Sequence, residues 1–182
     1  MRSLVGCLAA VLLLAGCTAE PAPEPTGTVD AAPSSPAAEP EEAERIAAAA
    51  YARYLALANE ILNEGGAEPD RIDQVVAEGM AESEKAGYEQ YAERGLRTVG
   101  EATFDSLSIQ SYQPGAEAGE TAIVAYLCSD SSAVDVVNGA GDSVLEPDRD
   151  SRSPFEVHFA YDREGQLLVS AREPWSGENF CQ

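Results

Sequence analysis

The chain has 182 residues, 45% of them hydrophobic, and carries 32 aspartates and glutamates against 11 lysines and arginines, a formal net charge of −21. A surface that acidic argues against nucleic acid and other polyanions as partners. The length allows one core of ordinary domain size after the flanking segments are set aside.

Arg2 opens the chain, and an apolar run from Leu4 to Leu14, broken only by Gly6, follows it. The run is too short to cross a hydrocarbon core as a helix, so residues 1–16 read as a signal peptide. Its end, Leu14-Ala15-Gly16-Cys17, resembles a bacterial lipoprotein lipobox. The resemblance implies that Cys17 becomes a lipidated mature N-terminus, holding the protein to the extracytoplasmic face of the cell membrane. The alternative is a hydrophobic N-terminus with an incidental cysteine. Cys7 falls inside the leader and leaves with it.

Residues 17–40 carry Pro21, Pro23, Pro25, Pro33, Pro36 and Pro40 among Ala, Ser, Thr and Glu, with Val29 as the one larger aliphatic residue. Such a composition builds no core. At about 3.1 Å per residue an extended proline-rich stalk could reach roughly 70 Å from the lipid. Its charges are acidic, so attachment to an anionic membrane surface would rest on the lipid.

Residues 41–182 are expected to form a single domain. Ile46, Ala50, Tyr54, Leu57 and Ile61, flanked by Tyr51, Leu55, Ala58 and Leu62, predict a helix over 41–64 that Gly65-Gly66 stops. Asp70 is placed to cap a short helix bearing Ile72, Val75 and Val76, and a third helix is expected from about Met80 to Arg94. The period then changes to two. Strands are predicted over 103–113, 121–128, 133–137, 155–161 and 166–172, the last two joined by the turn Asp162-Arg163-Glu164-Gly165. Helices followed by antiparallel strands predict an α+β domain in which helices pack on a curved antiparallel sheet.

Cys128 and Cys181 are the cysteines that remain beside Cys17. In an exported protein such a pair is expected to form a disulfide, here tying a central strand to the C-terminal end. The alternative, a catalytic cysteine, needs a neighbouring base, and the chain has the single histidine His158.

The long first helix, the Tyr126-Leu127-Cys128-Ser129-Asp130 strand, the valine-rich hairpin after it and a closing segment through Trp175 to Cys181 resemble a family of small actinobacterial lipoproteins with nuclear-transport-factor-2-like domains. A single lysine, Lys85, and abundant alanine agree with a GC-rich bacterial source. The resemblance covers about residues 41–182 and implies a cone, a curved sheet wrapped round the first helix. That superfamily includes isomerases, dehydratases and non-catalytic binding or assembly modules, so the resemblance implies no particular reaction.

An enzyme of this kind would hold an acid or base in the cone's apolar interior. Asp130 and His158 are the candidates. Alternation with Phe155, Val157, Phe159 and Tyr161 puts His158 beside Glu156 on the opposite, exposed face if the aromatic face is the core. Asp130 and Asp105 sit near strand ends, where aspartate commonly completes a turn. Tyr51, Tyr54, Tyr88 and Tyr91 could line a cavity or pack as core with hydroxyls at its edge. Asp142, Asp148 and Asp150, near Asp130 and Asp135 in sequence, are candidates for calcium, although their spacing matches no EF-hand and a solvated acidic loop is the plainer reading. No cofactor is expected. The expectation is a non-catalytic binding module at the cell envelope, with an envelope protein or a small apolar ligand as partner. A small cone-fold enzyme or a calcium-binding acidic module is the alternative.

Overall fold

The computed structural model describes residues 38–181. The leader, Cys17 and most of the proline-rich segment lie outside them. Helix α1 spans Ala38–Asn63. It starts three residues ahead of the expected boundary because Pro40 falls in the first turn, where no intrahelical N–H is required of it. Ala43, Ala47, Tyr51, Tyr54, Ala58 and Ile61 form its buried stripe at three- and four-residue spacing. Ile46 and Leu57, expected at the stripe's centre, lie half-buried at its border. Gly65 and Gly66 take positive φ and end the helix, with Gly66 N donating to Ile61 O at 2.8 Å.

The expected Asp70-capped helix is instead a 3₁₀ turn, Pro69–Gln74, with no side-chain cap. Glu68 ahead of it is left-handed and Pro69 fixes the entry, so tight i+3 bonds replace a helical cap. Val76 and Ala77 then run beside Val169, with Ala77 N bonded to Val169 O at 2.8 Å. Helix α2, Glu78–Glu93, buries Met80, Ala81 and Tyr88.

Strands β1 (Arg97–Val99), β2 (Thr103–Tyr112), β3 (Thr121–Asp130), β4 (Asp135–Val137), β5 (Arg152–Tyr161) and β6 (Leu167–Pro174) follow. Four of them make one antiparallel sheet in the order β2-β3-β5-β6, and β1 pairs with β4 separately. Two irregularities in β2, flanking Ser108 and Ile109, and others where β3 meets β5 and β5 meets β6 add curvature. Helix α1 consequently touches both β2 and β6, the opposite edges of the sheet. This is a cone-like α+β domain, with helices packed against a curved antiparallel sheet.

The inner face carries Ile123, Ala125 and Leu127 from β3 against Val157 and Phe159 from β5, all fully buried. Tyr51 meets the edge of Phe104 at 4.8 Å between ring centroids. On the outer face, the segment after β6 turns back across the sheet. Cys181 is disulfide-bonded to Cys128, and Trp175 packs on Tyr126 at 4.8 Å. The aromatic-face-inward reading of β5 and the Cys128–Cys181 pairing therefore hold.

Candidate functional site

One end of the cone is not filled. A cavity of about 450 Å³ opens between α1, α2 and the inner face of the sheet, with the β1–β4 pair and the chain around Arg149 at its margin. Leu55, Ala58, Leu62, Val136 and Phe155 supply apolar wall. Asn59 holds the margin to α1: its Nδ2 donates to Ala102 O and its Oδ1 accepts from Ala102 N, both at 3.0 Å. Thr98 donates to Asn63 Oδ1 at 2.7 Å.

The polar floor is a chain of aromatic and charged groups. Glu84 Oε2 accepts hydrogen bonds from Tyr88 at 2.7 Å and from Tyr54 at 3.2 Å. Glu84 and Tyr88 are four residues apart on α2 and so share one helix face. Burial, reinforced by the Glu84 carboxylate, pushes both tyrosine hydroxyls well above the ordinary phenol range, so they stay protonated donors. Arg172 on β6 donates from Nε to Tyr51 at 3.0 Å, and its guanidinium carbon lies 3.4 Å from the centroid of Phe155. At the margin, Arg149 donates to Ser131 Oγ at 2.8 Å and to the carbonyls of Ser131 and Val134, each at 2.7 Å.

Arg172 reaches the cavity through a register shift. Val169 pairs with Phe159 and points inward, while Ala171 pairs with His158 and Arg172 with Val157, leaving Ser170 as the extra residue. Strict alternation from Val169 would have turned Arg172 outward. The sequence reading does not single out Glu84, although an acidic residue one turn from Tyr88 on a helix face is a usable signal. Of the four tyrosines, Tyr54, Tyr88 and Tyr91 line the cavity, and Tyr51 is core with its hydroxyl on Arg172.

Asp130 and His158 lie outside this site. Ser129 and Ser131 line the cavity, and Asp130 between them faces the other way, where Arg152 bonds it at 2.7 Å. The same arginine binds Asp105 Oδ1 at 2.9 Å and donates from Nε to Cys181 O at 3.0 Å. Hydrogen bonds from Ser132, then Arg152, hold the Asp130 carboxyl down at about 2. His158 Nε2 and Glu156 Oε1 are 2.8 Å apart on the outer face. The two candidate acid or base residues thus lie on the outer side of the sheet, away from the cavity: Asp130 is tied to Arg152, and His158 sits beside Glu156 on the face that strand alternation gives it.

Among the described residues no three His, Cys, Asp or Glu side chains gather as a metal site, so Asp142, Asp148 and Asp150 are not brought together. Asp135 instead accepts from Ser143 Oγ at 2.6 Å. Among the described residues no helix is long and apolar enough to cross a membrane.

Fold and site together define a cone-like α+β domain with an open interior cavity. No protein-family model matches the chain, and no curated protein matches it in sequence. Among solved structures, the intermembrane space region of the chloroplast protein ARC6 superimposes with a TM-score of 0.52 at 11% identity, covering 74% of this chain and 97% of that one. Aln2 from a Streptomyces species gives a TM-score of 0.45 at 17% identity, covering 73% of this chain and 89% of that one. A Catenulispora acidiphila structure in complex with S-DNPA gives 0.45 at 15%, covering 69% of this chain and 90% of that one. The likeness to ARC6 bears on the fold alone.

Proposed function

We propose that this chain is a lipid-anchored extracytoplasmic binding module, attached to the cell membrane through Cys17, that holds a small molecule in the cavity of its cone. The observation that carries the binding role is the open space itself. At about 450 Å³ it falls within the range of small-molecule pockets, roughly 300–1,000 Å³, and combines apolar walls with a few convergent polar groups. The anchor rests on the Leu14-Ala15-Gly16-Cys17 pattern and the proline-rich stalk behind it.

A non-catalytic role is favoured because Tyr54 and Tyr88 are committed as donors to Glu84 and Arg172 and Arg149 donate to neutral acceptors, while the histidine lies on the other face. Native mass spectrometry of gently purified full-length protein tests the reading. A bound molecule is expected that is lost on Ala58→Phe, which fills the cavity, and retained on His158→Ala. Protein that carries no bound molecule and captures none from an envelope small-molecule extract would refute it.

The second reading, a small cone-fold enzyme, is favoured by one feature: Glu84 Oε1 has no hydrogen-bond partner among the described residues and is available as a base. Turnover of a bound compound that disappears in Glu84→Gln, with folding intact, would select it.

A further inference from the structure

Three charged side chains line the cavity. Arg149 is taken up by the Ser131 hydroxyl and the carbonyls of Ser131 and Val134 at the margin, which leaves Glu84 and Arg172, two opposite charges that do not pair with each other. Among the described residues, Arg45, Arg71, Lys85 and Arg152 all sit within ion-pair distance of carboxylates on the outside of the domain. Arg172 and Glu84 differ. Each is fixed by tyrosine, Arg172 through Nε to Tyr51 and Glu84 through Oε2 to Tyr54 and Tyr88, and neither has an opposite charge within that distance. Their remaining atoms, both terminal guanidinium nitrogens and Glu84 Oε1, have no partner among the described residues. No buried side-chain nitrogen or oxygen lacks a partner among those residues, so these atoms are solvent-accessible, on side chains that both line the cavity.

A guanidinium stacked on Phe155 and held at Nε keeps its terminal fork oriented for a planar anion. A ligand carrying only an anion would strip water from Glu84 without replacing it, and one carrying only a cation would do the same to Arg172. A ligand with both charges satisfies both groups, while Leu55, Ala58 and Leu62 receive an apolar body.

We infer that the cavity selects a small zwitterion with an apolar body, the chemistry of an apolar amino acid, its carboxylate on Arg172 and its ammonium on Glu84. This rests on the cavity being the binding site, as proposed above. The test is calorimetric titration of the full-length protein with four compounds sharing a phenylalkyl body: L-phenylalanine, 3-phenylpropanoate, 2-phenylethylamine and 3-phenylpropan-1-ol.

The zwitterion is expected to bind at least tenfold more tightly than any of the others. Arg172→Met should remove its advantage over the amine, and Glu84→Gln its advantage over the acid. The comparison on unaltered protein needs no variant to fold. Equal or tighter binding of the alcohol, acid or amine would overturn the inference while leaving the cavity as a binding site. No binding by any of the four, together with the absence of a copurifying molecule, would overturn both.

Discussion

Tyr88 and Glu84, one turn apart on α2, are joined by a 2.7 Å hydrogen bond directed across the floor of the cavity. Tyr54 reaches the same carboxylate oxygen from α1 at 3.2 Å, so a single acceptor couples the two helices.

Tyr88→Phe should therefore cost about 1.5–3 kcal/mol, the range for a hydrogen bond to a charged group, and Tyr54→Phe less, because its bond is longer. Urea denaturation of both variants checks the ranking. Equal stability of Tyr88→Phe and the parent chain would mean that water replaces the hydroxyl without loss.

Asp130 makes a pH-dependent contribution. Its carboxyl is held down at about 2 by hydrogen bonds from Ser132 and by Arg152, against about 3.9 for an unfolded aspartate. The folded state thus favours the ionised form, and the stabilisation is fully present above about pH 4 and is lost as the pH falls from about 4 to about 2. Asp130→Asn should lower the melting temperature at neutral pH and converge with the parent near the lower end of that interval. A gap that stayed constant throughout would show that the ionisation contributes nothing.

The Cys128–Cys181 disulfide spans 53 residues, and closing a loop of that size contributes about 4 kcal/mol in the chain-entropy account. The paired Cys128→Ser, Cys181→Ser variant should lose stability of that order. It should also release the segment from Trp175 to Cys181 to proteolysis, since the backbone tie ahead of it is Trp175 N to Pro154 O. The strands beneath should remain folded, which circular dichroism would report.

Gly66 and Gly165 both have positive φ, 82° and 83°, but only Gly66 is crowded, since a Cβ there would sit 2.1 Å from Tyr88 O. Gly165→Ala should cost about 1–2 kcal/mol for the backbone conformation alone. Gly66→Ala should cost clearly more and displace α2, which carries Glu84 and Tyr88. Matching denaturation curves for the two variants would contradict this.

Much of the fold is legible in the sequence because it rests on local periodicity. Phe155, Val157 and Phe159 alternate with Glu156 and His158, and the sheet turns the first set inward and the second to the outer side. The α1 stripe and its Gly65-Gly66 stop are equally readable. Strand β1 is not, since Arg97–Val99 is three residues long and becomes a strand only by pairing with β4. The 3₁₀ turn at Pro69–Gln74 escapes because Asp70 offers a cap that the left-handed Glu68 ahead of it makes unnecessary.

The candidate site is largely illegible. Glu84 and Arg172 lie on different layers and come to one cavity only because the curved sheet leaves room beneath the helices. His158 and Asp130 draw attention by residue type, whereas facing direction decides their role; alternation along β5 gives that direction for His158, but no comparable pattern points to Glu84 or to the bulge that turns Arg172 inward.

The extra residue in β6 separates the breadth of the cavity from its charge. Val169 and Arg172 are three positions apart and both point inward, which an odd step permits only with a bulge between them. Loss of the Ser170 codon would leave an even step, so Arg172 would still face the interior while the strand straightened and the cone opened. Chains of this shape that are one residue shorter or longer at this point could therefore keep the same inward arginine around a differently shaped space, so a single change of length would alter the shape of the cavity before it altered its charge.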